Sequence, residues 1–131
     1  MIKIQLSAMT QARVFRSAWF AKAARKAAID DAELCSAIRQ VMRGQAVSLG
    51  GGVYKKRLNS NRYRSIILAR TARYWIYEYL FSKTSRDNID DGELAGFRVL
   101  AQGYARLSES QLKEMLQCQS LLEICHDNQK T

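Results

Sequence analysis

Residues 53–81 read VYKKRLNSNRYRSIILARTARYWIYEYLF, and along them the apolar period becomes extended rather than helical. Val53–Leu58, Tyr63–Arg70 and residues 74–81 are rich in the aromatic and β-branched types that suit a pleated surface. Asn59, Ser60 and Asn61 separate the first two segments, and residues 71–73 separate the second from the third. Connections this short favour antiparallel neighbours, so three strands of an antiparallel sheet are expected.

On the N-terminal side, residues 16–28 are rich in Ala, Lys and Arg, with Phe15, Trp19 and Ala23 at spacings of four, which predicts a first helix. Asp30 followed by Glu33 has the form of a capping box, and Leu34, Ile38, Val41 and Met42 then supply the inner face of a second helix that Gly44 ends. Residues 45–52, with Gly50, Gly51 and Gly52 in a row, are expected as a loop. On the C-terminal side, Asp90 with Glu93 opens a third helix whose inward stripe is Leu94, Phe97, Leu100, Ala101 and Tyr104. Ser108 with Gln111 opens a fourth, and residues 121–124 suit a short edge strand or a docking tail. Segregated elements of this kind predict an α+β fold: an N-terminal helical hairpin packed on a small antiparallel sheet, with C-terminal helices.

A chain of 131 residues has room for one core, so a single domain over residues 1–131 is expected. Residues 1–12 would be an N-terminal extension or first strand, and residues 126–131 a frayed tail. No apolar run is long enough to span a bilayer and no secretory leader is evident, which predicts a cytoplasmic protein with no membrane partner. Cys35, Cys118 and Cys125 form no disulfide framework and are expected reduced. With a single His and no close Cys pair, no metal and no other cofactor is expected.

Charge carries the partner signal. Up to residue 86 there are 17 Lys and Arg against 4 Asp and Glu, whereas residues 87–131 have 4 against 8. A field of this sign concentrates polyanions, so nucleic acid is the first partner to consider and an acidic protein the second. Three successive cations, Lys55, Lys56 and Arg57, sit in the first strand. Alternation places Lys55 and Arg57 on one face, with Tyr54 and Leu58 on the other, and Arg62 and Arg64 share a face of the next strand. If the faces coincide, Lys55, Arg57 and Arg64 form a phosphate-binding cluster to which Lys83 and Arg86 add; a solvated basic face is the competing reading. Trp75, Tyr77 and Tyr79 alternate on the third strand, which suits core packing and also base stacking. The glycine run precedes a strand and lacks the Lys-Ser/Thr and helix of a phosphate loop, so it reads as a conformational device.

Cleaving RNA without a metal requires deprotonating a ribose 2′-hydroxyl, stabilising charge on phosphorus and protonating the 5′-oxygen. No His or Glu pair offers this. A Lys among packed cations holds its proton less tightly and can serve as base or acid while Arg holds the phosphate.

Residues 13–26 (RVFRSAWFAKAARK), 29–31, 32–35 (AELC) with Ala37 and Ile38, 51–58 (GGVYKKRL), 64–68 (RSIIL), 81–83 and 86–90 leading into Glu93 and Leu94 closely resemble a RelE-like branch of the RelE/ParE toxins, over roughly residues 13–107. The resemblance implies the toxin of a type II toxin-antitoxin system, a metal-independent mRNA endonuclease acting at the ribosome and inhibiting translation. It implies a cognate helix-turn-helix antitoxin, with operator DNA reached only through that antitoxin. Lys55, Arg57, Arg64 and Arg86 match its catalytic positions, and Lys56, Arg62 and Lys83 become RNA-binding positions. Two departures stand out: Arg62 replaces a glycine before Tyr63, and Ile89-Asp90 stands where some RelE toxins carry a catalytic tyrosine. ParE-like inhibition of gyrase and non-catalytic nucleic-acid binding are alternatives that the fold alone leaves open.

Overall fold

The computed structural model describes residues 12–71 and 73–126; the expected N-terminal extension and frayed tail lie almost wholly outside them. The chain runs β1 (Arg13–Ser17), α1 (Ala18–Lys26), α2 (Asp31–Met42), β2 (Val47–Gly50), β3 (Val53–Leu58), β4 (Tyr63–Arg70), β5 (Tyr74–Ser82), α3 (Asp91–Ala105), α4 (Glu109–Gln117) and β6 (Leu121–Ile124). The strands form one six-stranded sheet in the order β2-β3-β4-β5-β1-β6. β1 pairs parallel with β5 and antiparallel with β6, and the remaining pairs are antiparallel.

This corrects the expected small antiparallel sheet behind an N-terminal helical hairpin: the sheet is larger and mixed, and both hairpin helices follow its β1 strand. Val14 is buried with the helices of one face and Phe15 with those of the other. A strand buried on both sides shows an apolar run without alternation, and Phe15 with Trp19 and Ala23 mimicked a helical period. In fact Ser17 caps α1, its Oγ accepting from the Phe20 amide at 3.1 Å, and the helix buries Phe20, Ala21 and Ala24. Trp19 is left 51% exposed. β2, expected as loop, is four residues ending in glycine and lacks strand composition; pairing with β3 makes it a strand. At residues 121–124 the edge-strand alternative is the one that forms.

One core packs α1 and α2 against Val14, Leu58, Ile67, Trp75, Tyr77 and Leu80; the other sets α3 and α4 against Phe15, Val53, Ile66, Leu68, Ile76 and Phe81. Tyr77, fully buried, donates to the Leu34 carbonyl at 2.7 Å, so its hydroxyl is satisfied inside the first core. Both C-terminal capping boxes form reciprocally. At α2 the Asp30 carboxylate accepts from the Glu33 amide, but the Glu33 carboxylate instead accepts from the Asn59 amide and so pins the β3–β4 turn. Leu100, expected inward on α3, is exposed.

Cys35 of α2 and Cys125 just after β6 form a disulfide, which corrects the expectation of three reduced thiols; Cys118 is free. The two are 90 residues apart, and only the folding of β6 beside β1 brings them together. Among the described residues no helix is long and apolar enough to cross a membrane.

Candidate nucleic-acid interface

Strand register decides where the cations point. Arg57 lies directly opposite Arg64, which lies opposite Phe81, and Lys55 lies opposite Ile66. Ile66 and Phe81 belong to the core under α3, so Lys55, Arg57 and Arg64 share that face of the sheet. Like charges directly opposite on neighbouring strands destabilise a sheet. Arg57 is exposed and Arg64 half-buried, so this end of the face is open where its other end is covered.

The segment after β5 folds back over the same end. The Ser82 carbonyl accepts from the Arg86 amide at 3.3 Å, and the Arg86 guanidinium stands 5.7 Å from the Phe81 ring centroid. Its Nη1 donates to Glu93 at 2.9 Å and to the Tyr79 hydroxyl at 3.3 Å, its Nη2 to the other Glu93 oxygen, and its Nε to the Asn88 carbonyl at 3.0 Å. Glu93 also accepts from the Asp90 amide at 2.8 Å, so the carboxylate that closes the α3 capping box holds Arg86 as well. That pairing raises the Arg86 pKa and lowers that of Glu93. Lys55 Nζ donates to Asn88 Oδ1 at 3.3 Å, joining the strand to this loop.

Lys55, Arg57, Arg64 and Arg86, the four expected catalytic positions, are therefore brought together. The three expected RNA-binding positions are not. Lys56 alternates onto the opposite face, where Nζ donates to the Gln45 carbonyl at 3.0 Å; burial, with Arg57 adding repulsion, lowers its pKa. Arg62 and Lys83 line a separate pocket with Lys26, beside the β3–β4 turn. Arg64 touches the wall of that pocket, because its Nη1 donates to the Asn61 carbonyl at 3.0 Å.

Two aromatic residues stand beside the cations in a way that sequence reasoning did not anticipate. Tyr79 was expected to share a face with Trp75 and Tyr77, but Ile66 pairs with Tyr79 while Ile67 pairs with Tyr77, leaving Glu78 as the extra residue of a bulge. Past it the alternation changes phase. Trp75 and Tyr77 stay in the α1–α2 core, and Tyr79 moves to the α3 face, where its hydroxyl meets Arg86. Trp19 then stacks on Tyr79, ring centroids 5.0 Å apart, because β1 stops beside Tyr77 and the chain turns into α1 there. The bulge leaves no mark in the residue types. Its Glu78 accepts from the Tyr104 hydroxyl at 3.1 Å, and burial pushes the Glu78 carboxyl up to about 7, the hydrogen bond opposing.

The arrangement combines a cationic row able to hold a phosphate, a phenol beside a guanidinium and an exposed indole. Residues 12–124 match the family model described as "RelE toxin of RelE / RelB toxin-antitoxin system". No curated protein and no solved structure matches the chain.

Proposed function

Because the chain belongs to the RelE toxin family of toxin-antitoxin systems, we propose that it is an mRNA endonuclease that works without a metal, at the ribosome and in the cytoplasm. The observation that carries this is the Arg57–Arg64 pair, two like charges set opposite each other on the open face beside Lys55. A sheet gains nothing in stability from that pairing, and a local rule broken without structural gain marks a functional position.

In the proposed reaction Arg57 and Arg64 hold the non-bridging oxygens of the scissile phosphate and offset the charge that builds on them. Lys55 Nζ takes the 2′-hydroxyl proton as that oxygen attacks phosphorus. The bond from phosphorus to the 5′-oxygen breaks, Tyr79 gives its hydroxyl proton to the departing oxygen, and Arg86 stabilises the phenolate left behind. Tyr79 thus takes over the task of the tyrosine absent at Ile89-Asp90. The cognate antitoxin would be a helix-turn-helix protein that silences the toxin and carries the contact with operator DNA.

A second reading, nucleic-acid binding without cleavage, is favoured by the hold of Glu93 on Arg86, which RNA would have to loosen. Inducible expression in a bacterial host, with primer extension on several transcripts soon after induction, separates the two. New 5′ ends inside translated regions, absent for Lys55→Ala with Arg64→Ala in a folded protein, are expected. Full toxicity and cutting in that double variant overturn the assignment. Arrest without cuts points to gyrase, checked by supercoiling, and no arrest leaves the binding reading.

A further inference from the structure

We propose that the pocket between the end of α1, the β3–β4 turn and the segment after β5 is a second RNA site, gripping the backbone a few nucleotides from the scissile phosphate. It rests on the reading of the chain as an RNA-acting protein, and adds where the strand goes after it leaves the cleavage face. The pocket measures about 470 Å³, and Lys26, Arg62 and Lys83 line it with the Asn59–Ser60–Asn61 turn and the hydroxyl residues Ser82 and Thr84. A space of that size suits a small polar ligand such as one nucleotide unit.

Its cations differ from those of the cleavage face. There, three of the four cations, Lys55, Arg64 and Arg86, each donate to a protein acceptor, and among the described residues Arg57 alone does not. The side chains of Lys26, Arg62 and Lys83 make no hydrogen bond or ion pair among the described residues, and no acidic residue lines the pocket. Three uncompensated charges around one concavity repel one another, and an anion seated among them relieves that repulsion.

The turn between the two sites is held from both sides. Asn59, Ser60 and Asn61 all have left-handed backbone, φ 52°, 53° and 74°, a conformation costly for residues with a side chain. Glu33 fixes its first amide and Arg64 grips its last carbonyl, so a guanidinium of the cleavage face also sets the pocket wall. Arg57 and Ser60 are three residues apart, so their backbones lie within about 10 Å of each other, a span that a flexible single strand can cover. Single-stranded RNA, whose charge follows a bendable backbone, suits two cationic sites separated by a turn better than a stiff duplex does.

The test uses the full chain and an oligoribonucleotide with 2′-O-methyl sugars, which cannot be cleaved, its binding read by fluorescence anisotropy over a series of salt concentrations. Each phosphate contact on a single strand contributes about 0.7 to the slope of log affinity against log salt, so Arg62→Ala with Lys83→Ala is expected to lower the slope by about 1.4. Arg62→Lys with Lys83→Arg should restore it. Lys22→Ala with Lys113→Ala removes the same charge elsewhere on the surface and should lower it far less. An unchanged slope in the pocket variant, or an equal fall in the charge-matched control, overturns the proposal. So does a pocket variant that loses antitoxin capture and keeps its RNA affinity, since the pocket would then be a protein contact. Because binding is measured without cleavage, a chain that cuts nothing yet shows the slope change loses the nuclease reading and keeps this one. All four substituted positions are exposed, and an unfolding midpoint confirms that each variant is folded.

Discussion

Val53, Leu68 and Ile76 cross β3, β4 and β5 as one row on the α3 face of the sheet; Arg57, Arg64 and Phe81 cross the same strands on the same face as another. The first row is sealed in the core with Ala101 and Tyr104 of α3. The second lies towards the N-terminal end of that helix, where the cap formed by Asp90 and Glu93 meets the loop carrying Arg86. Burying an unpaired cation costs far more than burying a leucine stabilises, so cations survive on this face only where the helix no longer covers it. The difference teaches that α3 divides one sheet face into a part that holds the fold and a part that stays open and carries the cations.

The sharpest way to break that division is Arg57→Leu with Arg64→Leu, which makes the open row resemble the sealed one. Cleavage should fall by about 10²–10³-fold, the usual cost of losing charge that stabilises a transition state. The urea unfolding midpoint should hold steady or rise, because the variant removes a repulsive cross-strand pair. A variant that cleaves normally, or that unfolds, would show that the two rows do not have separate tasks.

Trp19→Ala sharpens the comparison at its aromatic margin. If the exposed indole stacks a base next to the cationic row, RNA affinity drops by about 1–3 kcal/mol in the anisotropy assay. Equal affinity would leave Trp19 as no more than a cover for Tyr79.

The smallest effect concerns Glu78, at the bulge between the two rows. Its carboxyl titrates at about 7 in the folded chain against an ordinary value of 4.5, because burial penalises its charge. Below about pH 4.5 it is protonated folded and unfolded alike, and its favourable contribution is complete. As pH rises towards about 7 the unfolded chain ionises more readily, and that contribution is lost; above about 7 the loss stays constant. With partial exposure discounted, the change is about 1–2 kcal/mol. Urea midpoints across this range should fall for the parent and flatten for Glu78→Gln; parallel curves would remove Glu78 as the source.

Much of the molecule was legible in the residues, and the failures have identifiable causes. β3 and β4 follow from composition and turn residues at their exact bounds, and α2, α3 and α4 follow from caps, because these signals act over a few neighbouring residues. β1 was missed because a strand buried on both faces carries no alternation, and β2 because its pairing with β3 rather than its composition makes it a strand. The shared facing of Lys55, Arg57 and Arg64 was readable since alternation along β3 and β4 is a local rule. Arg62 was set beside Arg64 by an alternation that does not reach past Tyr63, where β4 begins, and Lys83 was added from the segment after β5; both line the pocket by the β3–β4 turn instead.

The sequence by itself determined a basic protein, three central strands, capped helices, the RelE resemblance and the facing of Lys55, Arg57 and Arg64, all of which depend on composition or on short-range periodicity. Tertiary structure alone decided the parallel entry of β1 between β5 and β6, the Cys35–Cys125 link, the reach of Trp19 to Tyr79 and the phase change at Glu78. Each of these turns on which segments distant in the chain come to lie side by side. Pairing energy of that kind is a property of two surfaces, and neither surface carries it in its own residues.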